Sequence, residues 1–213
     1  MDGTFLPYLG TMQFDSADVA RMVAEGSFED VILHEMGHVI GIGTLWSLLD
    51  LVRGLGTTDP TFVGANAVRE YQELSGTQAA AVPVEATGGA GTAGGHWRES
   101  VFGAELMTGY AEPAGTPMPI SQLTIGSLQD IGYAVNYDAA DPYTLNLRQA
   151  AARFRQLQSP RNRAARRFMM VAADNSLPSL LAAAASAGSE GHRQVDTPQA
   201  KSRVFRSIAG RLA

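Results

Sequence analysis

Three residues in one short phrase carry most of the chemistry in this chain: His34, Glu35 and His38, within HEMGHVIG at residues 34–41. On a helix, His34 and His38 stand one turn apart and project from the same face, while Glu35 is rotated about 100° from its neighbour. Two neutral imidazoles at that spacing suit a zinc ion. The offset carboxylate is placed to take a proton from an activated water rather than to bind the metal. The bland alternative is a buried helix with two ordinarily satisfied histidines. A catalytic zinc usually has three protein ligands plus water, so a further ligand must come from elsewhere. The familiar extension places it six residues after the second histidine, and that position is Thr44. Downstream, Glu70, Glu73, Glu85, His96 and His192 are the open candidates.

A second phrase, HWRESVFGAELMTG at residues 96–109, bears on the choice. His96 follows a glycine-rich loop that could fold it back over the helix, and Trp97 beside it can anchor it in the core. Met107 comes 11 residues later. A methionine in a tight turn beneath a three-histidine site is the mark of the metzincins, although Met107 alone would read as core packing. His192 lies in GSEGHRQ, where ordering the chain would cost about 1–2 kcal/mol per residue.

The segments HEMGHVIGIGTLW, GGAGTAGGHWRESVFGAELMTGY and ISQLTIGSLQDIGYAV together resemble the leishmanolysin-type metzincins in their bacterial form, over roughly residues 10–138. That family carries an insertion between its HExxHxxG helix and the third histidine, which accounts for Thr44. The resemblance implies an α+β, zincin-like catalytic domain that cuts proteins or peptides outside the cell or at its surface. It implies zinc held by His34, His38 and His96, Glu35 as general base and then acid, and Met107 as the floor of the site. Metzincins build a sheet before the zinc helix, and only 33 residues precede His34, so the expectation is a truncated N-terminal lobe. The runner-up is a zinc-bearing surface or binding module without turnover.

The elements that must position these residues follow from periodicity and capping. Residues 10–15 predict a short strand, and Ser16 caps a helix through Ala24. Ser27, with Asp30 three residues on, opens a helix from Phe28 to about Ile40. That helix is apolar on most sides, leaving the His34/Glu35/His38 strip to line a cavity. Gly37 costs about 1 kcal/mol relative to alanine inside a helix, which implies that something packs closely there. Gly41 can end it in the left-handed region. Further on come a helix at 65–74, the glycine loop at 86–95, a helix opened by Ser121, a strand over 133–137, and an amphipathic helix with Leu147, Ala150, Ala151, Phe154 and Leu157 on one face.

Composition bounds the rest. The 213 residues, 45% hydrophobic, suffice for one core. Residues 1–144 hold 4 basic and 18 acidic residues, net −14, whereas residues 145–213 hold 12 and 3, net +9. This predicts a catalytic domain at 1–144 and a basic, partly helical, largely disordered tail at 145–213. Contact with the chain's own acidic part explains the basic tail as well as nucleic acid would, and no nucleic-acid partner is expected. The absence of cysteine excludes disulfides and thiolate ligands. The apolar run from Leu177 to Ala187 is too short to span a bilayer. MDGTFLPYLG lacks the basic and apolar regions of a signal peptide, so none is expected in it. Gly89, Gly91 and Gly94 spell G-x-G-x-x-G without the strand–turn–helix context of a dinucleotide site. Tyr110 reads as a packing residue rather than a metal ligand.

Overall fold

A computed structural model describes residues 6, 7, 10, 12, 14–113 and 115–159. Helix α1 (Ser16–Glu25) is capped by Asp15 rather than Ser16: the carboxylate one residue earlier accepts the Ala17 N–H at 2.8 Å. The strand expected over residues 10–15 is not formed at the described positions. Phe14 instead sets its ring edge-on against Phe28, with centroids 5.9 Å apart. Helix α2 (Phe28–Val39) follows after a single turn. The capping box is absent because Ser27 is already helical, at φ −98° and ψ −7°, and its hydroxyl makes no cap bond. The Ser27 N–H goes back to the Met22 carbonyl, so the end of α1 fixes the start of α2. Gly41, at φ 117°, lies just past the end of α2.

Three two-residue strands, β1 (Val52–Arg53), β2 (Thr61–Phe62) and β3 (Val82–Pro83), form an antiparallel sheet in the order β1-β2-β3, with Val52 opposite Phe62 and Phe62 opposite Val82. Two single bridges, Val84 to Trp97 and Trp97 to Thr108, lie just beyond β3. They set residues 96–97 beside 107–108, which no local pattern could do. Helix α3 (Ala65–Ser75) lies between β2 and β3 in the chain and packs on α5 (Gln122–Asp130). Asp130, at the end of α5, caps α3 from outside by accepting the Asn66 and Ala67 N–H groups at 2.9 Å. Ser121 caps α5 as expected, accepting from the Thr124 N–H. The architecture is mixed, helices with a small antiparallel sheet, and no described helix is long and apolar enough to cross a membrane.

Trp46, Phe62, Trp97 and Phe102 are buried together at the centre, with the Trp46 and Trp97 rings 4.5 Å apart. This cluster ties the segment after α2 to the residue that follows His96. The strand expected at 133–137 is replaced by irregular chain and a 3-10 turn at Tyr137–Ala139, which the Asn136 side chain caps through the Asp138 N–H.

Helix α6 (Leu147–Leu157) is formed as expected, although Leu147 is 53% exposed while Ala150 and Leu157 are buried. It packs on the short helix α4 (Glu99–Phe102). The Phe154 ring meets Tyr110, and Arg153 pairs with the buried Glu112. Packing therefore continues past the change of composition near residue 144. The tail beyond residue 159, His192 included, lies outside the described residues. Arg153→Ala leaves the Glu112 carboxylate buried without its cation. The expected cost is about 3–5 kcal/mol in denaturant unfolding.

Candidate metal centre

The three histidines meet at their Nε2 atoms. His34 and His38 are 2.9 Å apart there, His38 and His96 2.9 Å, and His34 and His96 3.2 Å. All three are buried, at 1%, 5% and 2% exposure. The opposite nitrogen of each ring is spoken for by a backbone carbonyl: His34 Nδ1 by Leu106 at 2.7 Å, His38 Nδ1 by Ile42 at 2.9 Å and His96 Nδ1 by Thr92 at 2.9 Å. A carbonyl only accepts, so each Nδ1 carries the proton and each neutral ring turns an unprotonated Nε2 inward.

Three lone pairs thus face one another with no hydrogen between them. Protonation does not relieve this, because burial lowers the affinity of all three rings for a second proton. His34 falls to about 3, by burial first and by His38 second, and His96 is held well below the usual range by burial and by both other histidines. Burial also lowers His38. A cation bound between them would satisfy the arrangement. Ligands at zinc–nitrogen distances stand about 3.3 Å apart on a tetrahedron, a few tenths of an ångström more than here. The group fits a zinc ion on both donor chemistry and spacing.

Glu35 is 3% exposed, and its Oε1 has no hydrogen-bond partner. Burial pushes its carboxyl up to about 8, and a divalent cation at the adjoining imidazoles favours the ionised form. The other carboxylates weighed as ligands are occupied elsewhere. Glu70 pairs with Arg69 at 2.8 Å, and Glu73 is exposed. Glu85 pins the glycine loop by accepting the Ala86 and Thr87 N–H groups on Oε1 and the Glu99 N–H on Oε2.

Met107 is 1% exposed, and a Cβ added to Gly37 would stand 2.7 Å from its Sδ. The close neighbour that Gly37 implied is this methionine, lying under the helix one residue before His38. Tyr110 is buried, with its ring on Phe154 and its hydroxyl 3.4 Å from the Thr87 hydroxyl, in keeping with a packing role. No strand–turn–helix surrounds Gly89, Gly91 and Gly94, whose neighbourhood is turns.

Sequence reading did not find Thr92, whose carbonyl orients His96. Its only trace is its place four residues before the histidine, inside the glycine loop. Nor did it find why Gly43 is glycine. Its φ is 74°, and a Cβ there would fall on the Gly95 carbonyl, so the two glycines let the chain after α2 touch the chain entering His96. Gly43→Ala should cost about 1–3 kcal/mol for the left-handed backbone alone. It should also push His96 outward, so zinc affinity measured by chelator competition falls together with stability.

Compared with known families, residues 2–152 match the family model described as leishmanolysin, of the M8 peptidases. No curated protein matches the chain.

Proposed function

Because the chain belongs to the leishmanolysin family of zinc metallopeptidases, we propose that it is a metzincin-like endopeptidase in which His34, His38 and His96 hold the zinc and Glu35 moves the proton. The observation that carries this reading is the set of three buried Nε2 atoms turned inward, each fixed from behind by a carbonyl. Zinc bound there supplies a Lewis acid that brings water's acidity towards neutrality and polarises a peptide carbonyl. Glu35 accepts the proton of the attacking water on its unpartnered carboxylate and returns it to the departing amine nitrogen. The carbonyls of Leu106, Ile42 and Thr92 keep the three rings in the tautomer that binds metal. Met107 packs under Gly37 and holds the helix at its depth. The substrates are proteins or peptides, met outside the cell or at its surface as in the family.

The catalytic unit extends through α6, in keeping with its packing and with a family match that runs to residue 152. Deleting residues 160–213 leaves zinc content and turnover nearly unchanged. A large loss of zinc in that deletion would place part of the tail on the site.

The rival reading is a zinc-bearing module that binds proteins without cutting them. Mass spectrometry of an unfolded protein substrate after incubation separates the two. New internal termini, absent when a chelator is present, are expected. Capture of the substrate intact would favour the binding module.

A further inference from the structure

Glu105 is fully buried between α4 and Met107, and four donors converge on its carboxylate. Oε1 accepts from the Ser121 N–H at 3.1 Å, the Ser121 hydroxyl at 2.7 Å and the Thr124 hydroxyl. Oε2 accepts the Met107 N–H at 2.6 Å. Burial raises the Glu105 carboxyl above its usual range, and the hydrogen bonds from Thr124, Ser121 and Met107 oppose that shift, as does the positive end of α5; no described basic side chain forms an ion pair with it.

The bond to Met107 has a consequence at the metal centre. The Met107 N–H and the Leu106 carbonyl are the two ends of one peptide unit, and that carbonyl accepts the His34 Nδ1–H at 2.7 Å. A carboxyl oxygen accepting from the N–H draws electron density towards the carbonyl oxygen and strengthens it as an acceptor, most of all when the carboxyl is ionised. A better acceptor on Nδ1–H makes the opposite nitrogen of the ring a better donor to a metal, the effect a carboxylate has when it contacts a metal-binding histidine directly. Glu105 also touches the third histidine's support. The Thr124 hydroxyl that donates to it accepts the Trp97 indole N–H at 2.8 Å, and Trp97 follows His96.

We propose that Glu105 is a positioning residue for the zinc centre, acting on His34 through the Leu106–Met107 peptide as a relayed carboxylate–histidine–metal chain. The proposal rests on the reading of the three histidines as a zinc site.

Two variants of the full chain separate this role from simple support of the fold. Glu105→Gln keeps the shape and removes the charge. Glu105→Asp keeps the charge and can still reach the N–H two residues on, as short acidic side chains do in turns, but withdraws from Ser121 and Thr124. The dissociation constant for zinc is measured by chelator competition, alongside the melting temperature of the metal-free protein and the visible spectrum with cobalt in place of zinc. Glu105→Gln is expected to weaken zinc about 10–100-fold and shift the cobalt bands. Glu105→Asp is expected to lose more melting temperature yet hold zinc more tightly than Glu105→Gln. Zinc affinity that follows melting temperature, or stays at the wild-type value in Glu105→Gln, overturns the proposal. Should Glu105→Gln fail to fold, the coupling across the hydrogen bond from the Met107 nitrogen to the Glu105 carboxyl carbon is read by NMR in the zinc-loaded wild type, and its absence overturns the proposal. If the wild type and His96→Ala hold zinc equally, the metal-centre reading itself fails and takes this one with it.

Discussion

Glu35→Gln is expected to keep close to one zinc per chain while turnover falls by roughly 100- to 10,000-fold, the range that a positioned general base contributes. The expectation follows from where Glu35 stands. It adjoins His34 in sequence but leaves α2 on a different azimuth, so among the described residues the converging nitrogens are those of His34, His38 and His96. Its Oε1 is buried and unpartnered, and glutamine fills the same space without the ability to take up a proton. Metal analysis and steady-state cleavage of an unfolded protein, run on the same preparation, give both numbers. Loss of the metal in this variant would make Glu35 a ligand and overturn its role as base.

The second large effect concerns His96. His96→Ala removes one of three donors and leaves the other two turned towards a void. Zinc affinity should fall by more than about 100-fold, beyond the 10–100-fold typical of groups that only orient ligands. His192→Ala serves as the paired control and should retain zinc like the wild type after dialysis against a weak chelator. Equal retention in the two variants would remove His96 from the centre. Thr44 offers no substitute, since its hydroxyl donates to the His38 carbonyl at 2.9 Å.

The part of the site that was legible in the sequence is the part governed by short spacing. A helix fixes where residues four apart must point, so His34 and His38 could be placed from their types and interval alone. Gly37 could be read as a close-approach position because glycine inside a helix needs a reason. The convergence of His96 depends on contacts between separate segments of the chain: the bridges Val84–Trp97 and Trp97–Thr108, the tilted ring contact of Trp97 with Trp46, and the meeting of Gly43 with Gly95. None has a local period, and the family resemblance supplied what spacing could not. The misplaced elements have the same origin. Residues 133–137 alternate like a strand, but residues 133–136 stay irregular and Tyr137 opens a 3-10 turn capped by Asn136. The Ser27–Asp30 pair looks like a capping box, yet the backbone bond from Ser27 to Met22 had already fixed the helix start. The reversal of sign near residue 144 is real, but Arg153 in the basic part neutralises Glu112 in the acidic part, so composition changed where packing did not.

The measurement that tests the central claim most directly is a metal titration of the wild-type chain, with cleavage of an unfolded protein followed throughout. The protein is stripped by chelator and zinc is returned in steps. Turnover is expected to vanish on stripping and to rise in proportion to bound zinc until one ion per chain is reached. Cleavage that persists in the stripped protein, or a chain that binds one zinc and still cuts nothing, would contradict the account.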